Sequence, residues 1–294
     1  MKKYSLAVCA LLAACAALPL RAEENDSTAD STSTASGVQA KTAKPVKPEK
    51  GPAAEQNMFN YEDFHVKFGV GFDYSTGHYG QAAATDIWYL PFTGTAELDH
   101  WTAKVTVPWV SITGPGVVFG AGDTSVTTNT PRSVRHTQGL GDVIGSLAYT
   151  IDLPEQVYLD PSVKVKFPTG DRSESLGTGE YDYSLGADIY KQFGKFSVFA
   201  GGAHRFTGEE NVLRLHGIWL ADVGAGYNIL PDLNAGVLYG WRESATNLQD
   251  PSELTPYLTY NITEKVSAQV YGVTGFSNGS PDYGGGIMLG YTAW

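Results

Sequence analysis

Apolar and polar positions alternate with a period of two through the middle of the chain. Val143, Gly145, Leu147, Tyr149 and Ile151 stand against Asp142, Ile144, Ser146, Ala148 and Thr150, and a short turn follows at 152–156. The alternation then resumes, with Val157, Leu159, Pro161, Val163, Val165 and Phe167 on one side and Tyr158, Asp160, Ser162, Lys164 and Lys166 on the other. A third run sets Tyr181, Tyr183, Leu185, Ala187 and Ile189 against Asp182, Ser184, Gly186 and Asp188. Successive side chains of a strand point to opposite faces, so each run predicts a strand with one greasy and one wet face. In a soluble sandwich the greasy face turns inward; in an outer-membrane barrel it turns out to lipid and the polar face lines the lumen. The alternation by itself does not choose.

The same grammar runs through the rest of the chain. Phe64, Val66, Phe68, Val70 and Phe72 alternate with His65, Lys67, Gly69, Gly71 and Asp73. The return run over 85–98 contains Pro91, which obscures its phase. Trp101, Ala103, Val105, Val107 and Trp109 oppose Thr102, Lys104, Thr106 and Pro108, and then the pattern fails from Ile112 to Gln138. A loop that long is functional or disordered, and as the longest in the chain it is the candidate to fold inward as a constriction. Further runs cover 196–206, 215–229, 233–242, 254–262, 265–274 and 283–294, with Asp222 and Arg242 on polar sides. The sum is an all-β transmembrane antiparallel barrel of about 12 strands, with short turns at one end and longer loops at the other.

The ends of the chain favour the membrane reading. Lys2 and Lys3 precede an apolar run over 6–18 and a small-residue site at Ala22, the form of a cleaved secretory signal over 1–22. A run of about 13 residues is too short to cross a bilayer as a helix, which takes about 20. Leu12-Ala13-Ala14-Cys15 is a competing lipidation site. Both cysteines, Cys9 and Cys15, lie in this segment, so cleavage at Ala22 leaves no thiol for a disulfide or a metal. Residues 23–57 are rich in Ser, Thr, Ala, Lys and Pro and predict a disordered periplasmic linker. The barrel is expected over 58–294. The closing segment, with Gly286, Leu289, Tyr291 and Trp294, resembles the strand by which the barrel-assembly machinery recognises its clients; Trp294 is out of phase with Tyr291.

Three further motifs resemble the family of outer-membrane transporters named for a phenol-degradation (MetA) pathway. They are Gly139-Leu140-Gly141-Asp142, then Lys164 to Asp171 with Pro168, Thr169 and Gly170, then a loop with Gly177 and Gly179. The motifs span 139–182 and the resemblance extends over 61–294. It implies a barrel that passes small compounds, aromatic or apolar ones included.

Composition excludes some alternatives and leaves others. Asp and Glu outnumber Lys and Arg by 31 to 20, and loss of Lys2, Lys3 and Arg21 with the signal deepens the net charge from -11 to -14. That disfavours nucleic acid as a partner. The six histidines are scattered outside any Ser, His and acid signature, although His204 and His216 flank one loop and could pair. No cofactor and no metal is expected. The expected function is a passive channel for small-molecule solutes across an outer-membrane lipid bilayer. Its lumen would be lined by Lys67, Lys104, Asp142, Lys164, Lys166, Asp182, Asp188, Asp222 and Arg242, while Val165, Leu185 and Val237 face lipid. A structural or adhesive barrel with a closed lumen, and a lipid-modifying enzyme, are the alternatives.

Overall fold

The computed structural model describes residues 64–115, 117–128, 135–208, 215–246 and 249–293. The expected signal, the linker, the Cys15 alternative and Trp294 lie outside the described residues.

Hydrogen-bonded strands make up most of the described chain: β1 (Phe64–Gly77), β2 (Thr85–Leu98), β3 (Trp101–Gly114), β4 (Val118–Phe119), β5 (Val126–Thr127), β6 (Arg135–Leu140), β7 (Val143–Tyr149), β8 (Ile151–Leu153) and β9 (Val157–Phe167). There follow β10 (Asp182–Phe193), β11 (Phe196–Phe206), β12 (Ile218–Leu230), β13 (Leu233–Arg242), β14 (Ser252–Asn261), β15 (Val266–Gly275) and β16 (Tyr283–Thr292). β6, β7 and β8 together act as one interrupted wall strand, and β4 and β5 form a separate small hairpin. Each wall strand pairs antiparallel with its sequence neighbour, and β16 pairs with β1 from Lys67↔Thr292 to Thr76↔Tyr283, which closes the ring. The result is a closed 12-stranded antiparallel barrel. Closure leaves no unpaired edge.

The two faces differ as the period of two requires. Phe68, Phe72, Val105, Leu185, Val223, Val237 and Leu289 are exposed on the outside. Asp73, Thr95, Glu97, Asp160, Asp188, Asn234, Glu253 and Gln269 are buried on the inside. Val165, expected beside lipid, is half-buried because it flanks a shallow outer depression with Gly94, Ala96, Ala103 and Gly145. Short turns join the strands at one end; Gly194, at the first central position of the two-residue β10–β11 turn, has φ +59, as tight hairpins of this twist need.

Pro91 does not break its strand. It sits opposite Pro108 in the β2–β3 register, so two missing N–H groups fall at one level of the ladder. Beyond Pro108 the partner of β3 changes from β7 to β6, and the chain between them, Gly141 and Asp142, turns into the barrel with Gly141 N–H donating to the Pro108 carbonyl at 2.9 Å. The run from Ile112 to Gln138 is also shorter as a loop than the sequence pattern implied, because β3 continues to Gly114 and β6 begins at Arg135.

Candidate functional site

The bore is not empty. Val117, Val118 and Ala121 are buried among Tyr79, Ile87, Tyr89, Val110, Ile112 and Leu176, next to the inner faces of β2 and β3, and Phe119 beside them in sequence is buried too. A few residues later Val126 packs with Ile218 and Ala245, at the long-loop ends of β12 and β13. These strands stand on opposite sides of the ring, so residues 117–128 form a strap across the bore. Polar contacts hold it. Gly120 N–H donates to the Ser175 carbonyl at 2.9 Å, Arg242 Nη2 to Ser125 Oγ at 3.2 Å, and Thr246 Oγ1 to the Thr127 carbonyl at 2.5 Å.

Beside the strap the three sequence motifs meet around one cation. Lys166 Nζ lies 2.8 Å from Asp182 Oδ2 and 3.5 Å from Asp142 Oδ2, and donates to Thr178 Oγ1 at 2.5 Å. All three charged groups are buried. Removing them from water is costly, and further donors help to offset it: Gly170 N–H to Asp142 Oδ1 at 3.0 Å and Gly208 N–H to Asp182 Oδ1 at 3.1 Å. Thr169 Oγ1 donates to the Gly141 carbonyl and accepts from Val143 N–H, which pins the bend between β6 and β7. A Cβ at Gly177 would overlap the Asp142 carboxylate, so only glycine fits there. Gly139 lies against Leu176, Gly179 takes the left-handed conformation at φ +82, and Pro168 ends β9. In the loop that follows, hydrogen bonds from Ser173 hold the Asp171 carboxyl below its usual range.

The other expected lumen residues take separate places on the inner wall. Lys67 pairs with Glu97 at 2.8 Å. Lys104 is half-buried on β3, between Thr95 and Ser146 in register. Lys164, Asp188 and Asp222 line a cavity of about 50 Å³ together with Arg205, Ser162 and Ser184. Arg242 joins Glu253, Asp73, Tyr79 and Tyr89 around a second cavity of about 40 Å³ under the strap. Lower in the bore Tyr190, Phe199, Leu238, Tyr257, Tyr271, Val273 and Met288 form a buried cluster, with Tyr271 donating to Asp73 Oδ2 at 2.5 Å. Asp73, Asp160, Arg205 and Glu253 are also buried on the inner wall, beyond the lumen residues expected from the sequence. Parity in 64–73 and 157–167 was enough to find the first two.

His204 faces outward between Phe206 and Trp219, with ring centroids 4.5 and 4.7 Å away. Among the described residues no group of three or more His, Cys, Asp or Glu side chains is placed to hold a metal ion.

No family model matches the chain, and no curated protein is similar to it in sequence. Solved structures are similar in fold. An outer membrane channel from Pseudomonas putida F1 superposes with a TM-score of 0.58 at 14% identity, over 82% of this chain and 100% of that one. The NanC porin gives 0.51 at 11% identity, over 76% and 98%. The translocator domain of the autotransporter NalP from Neisseria meningitidis gives 0.51 at 11% identity, over 80% and 90%. The fold is that of outer-membrane barrels. A channel, a porin and a translocator domain share it, so the fold alone assigns no substrate.

Proposed function

We propose that the chain is an outer-membrane channel through which small solutes, aromatic and apolar ones included, diffuse passively. The observation that carries this reading is the pairing of an apolar outer wall with a bore lined by charged side chains on most of the wall strands. A plain structural barrel has no need of so many buried charges, each of which costs free energy to desolvate. Lipid surrounds the wall, and the last strand, β16, is the segment presented to the assembly machinery. The family resemblance in the 139–182 motifs supports the choice of small aromatic or apolar solutes. The strap favours a second reading, a closed structural or adhesive barrel, because it crosses the bore.

Purified protein in planar bilayers and in liposome swelling separates the two. The channel reading expects small, discrete conductance and flux of small solutes, and larger conductance when residues 117–128 are replaced by a short Gly-Ser linker. Silence from both forms selects the structural barrel, and lipid turnover in the same vesicles selects an enzyme. Fractionation is expected to place the chain in outer membranes with heat-modifiable gel migration.

A further inference from the structure

The strand registers line up four carboxylates that lie far apart in sequence. Asp160 of β9 is the partner of Asp188 of β10, Asp188 of Gly201, and Gly201 of Asp222 on β12. Asp222 in turn is the partner of Gly240, Gly240 of Glu253 on β14, and Glu253 of Gly275. One unbroken row of inward positions thus carries Asp160, Asp188, Asp222 and Glu253, with glycine at each of the other places.

This row is inclined. Strands of a closed barrel tilt by about 35–45° to its axis, so a line perpendicular to them climbs as it goes round. Asp160 is the fourth residue of β9 counted from the short-turn end, whereas Glu253 is the second residue of β14 counted from the long-loop end. With strands about 4.8 Å apart, Asp188, Asp222 and Glu253 follow one another at about 10 Å. That is near the screening length at physiological salt, so each acid still attracts a cation leaving the one before.

Two observations point to a ligand on this row. Asp160 is 5% exposed, and its Oδ1 has no hydrogen-bond partner among the described residues. One inward position below Asp160, Asp188 and Gly201, the paired positions Tyr158, Tyr190 and Phe199 set aromatic residues beside the first two acids of the row. Carboxylates flanked by aromatic faces suit an organic ammonium, which carboxylates attract by charge and ring faces by their quadrupole. Lys164, Arg205 and Arg242 lie on the other flank, toward the long-loop end, and set the side on which an anionic group would be held.

Resting on the channel reading above, we propose that Asp160, Asp188, Asp222 and Glu253 form an inclined cation path, and that amine-bearing aromatic solutes are its preferred cargo. The test is the zero-current potential of single channels in a potassium chloride gradient, with flux of benzylamine and benzoate into liposomes at neutral pH as a size-matched pair. Cations are expected to permeate in preference to chloride, and benzylammonium in preference to benzoate. Asp188→Asn and Asp222→Asn, tested singly and together, remove charge at nearly constant volume. The double variant is expected to lower the cation preference by about fivefold, the factor that one close unit-charge contact in water carries. Ser111→Asn, outside the row, serves as the control for a folded barrel. Anion preference in the parent, or an unchanged preference in both single variants and in the double variant, overturns the path and leaves the channel standing. A parent that conducts nothing overturns the channel reading itself, and the path with it.

Discussion

At the scale of single residues, Lys166 explains why three separate motifs occur together. Its ammonium neutralises Asp142 from the bend in the wall and Asp182 from the start of β10, while Thr178 and Gly177 come from the loop between. Lys166→Met would leave two carboxylates buried without their cation, a loss of about 3–5 kcal/mol for a broken buried pair. The urea midpoint of the folded barrel in detergent is expected to fall accordingly, and a shift no larger than that of a surface control would remove the junction from the account. Gly177→Ala is expected to act in the same direction through overlap with Asp142, by about 1–3 kcal/mol. The sequence displayed these residues as motifs and showed none of their convergence. Asp142 was read as one polar position in a regular strand, but the strand breaks there, because Pro108 cannot donate to continue the ladder.

At the scale of elements, β1, β9, β10, β12 and β13 were legible almost residue by residue, since each has one face in lipid and one in the bore. A strand with two unlike surroundings writes that difference into its sequence. Leu185 and Ser184 offer the corresponding measurement on adjacent positions of β10. Leu185→Arg is expected to cost roughly 2–4 kcal/mol of barrel stability and Ser184→Arg distinctly less, because only the first puts a charge into hydrocarbon. Equal losses in equilibrium unfolding would mean the strand is turned the other way. That the longest loop, within 112–138, folds inward was legible from its length; which of its residues cross the bore, and where they pack, was illegible for the converse reason. Val117, Val118 and Phe119 are apolar in succession and all buried, since a segment inside the bore meets protein on every side and has no wet face to alternate with. Glu253 and Arg205 are not marked by the pattern, because one lies just before the run at 254–262 and the other is next to last in a strand whose phase the pattern leaves open.

At the scale of the whole molecule, the strap ties the β2–β3 side of the ring to the β12–β13 side. Apolar packing at both ends and three polar contacts between argue that it stays in place. Thr127→Cys with Thr246→Cys places two thiols where those residues already touch, in a described chain without native cysteine. The oxidised pair is expected to conduct as the parent does. Current that disappears on oxidation and returns on reduction would make the strap a moving gate. Register between strands is likewise a property of the closed ring, set by every turn and bulge at once. No single run of sequence could show that Asp160 and Glu253 belong to one line.

That line passes through six of the barrel's twelve wall strands between its first and last acid. Anything that followed it would travel as on a spiral staircase, going half-way round the barrel as it descended and keeping always to the wall. The strap resembles a beam laid across the stairwell, which narrows the open centre and meets the stair near its top landing, where Gly122 and Ser125 share a cavity with Glu253. A barrel built this way can be closed to a free fall down its axis and still have a walkable flight of steps along its side.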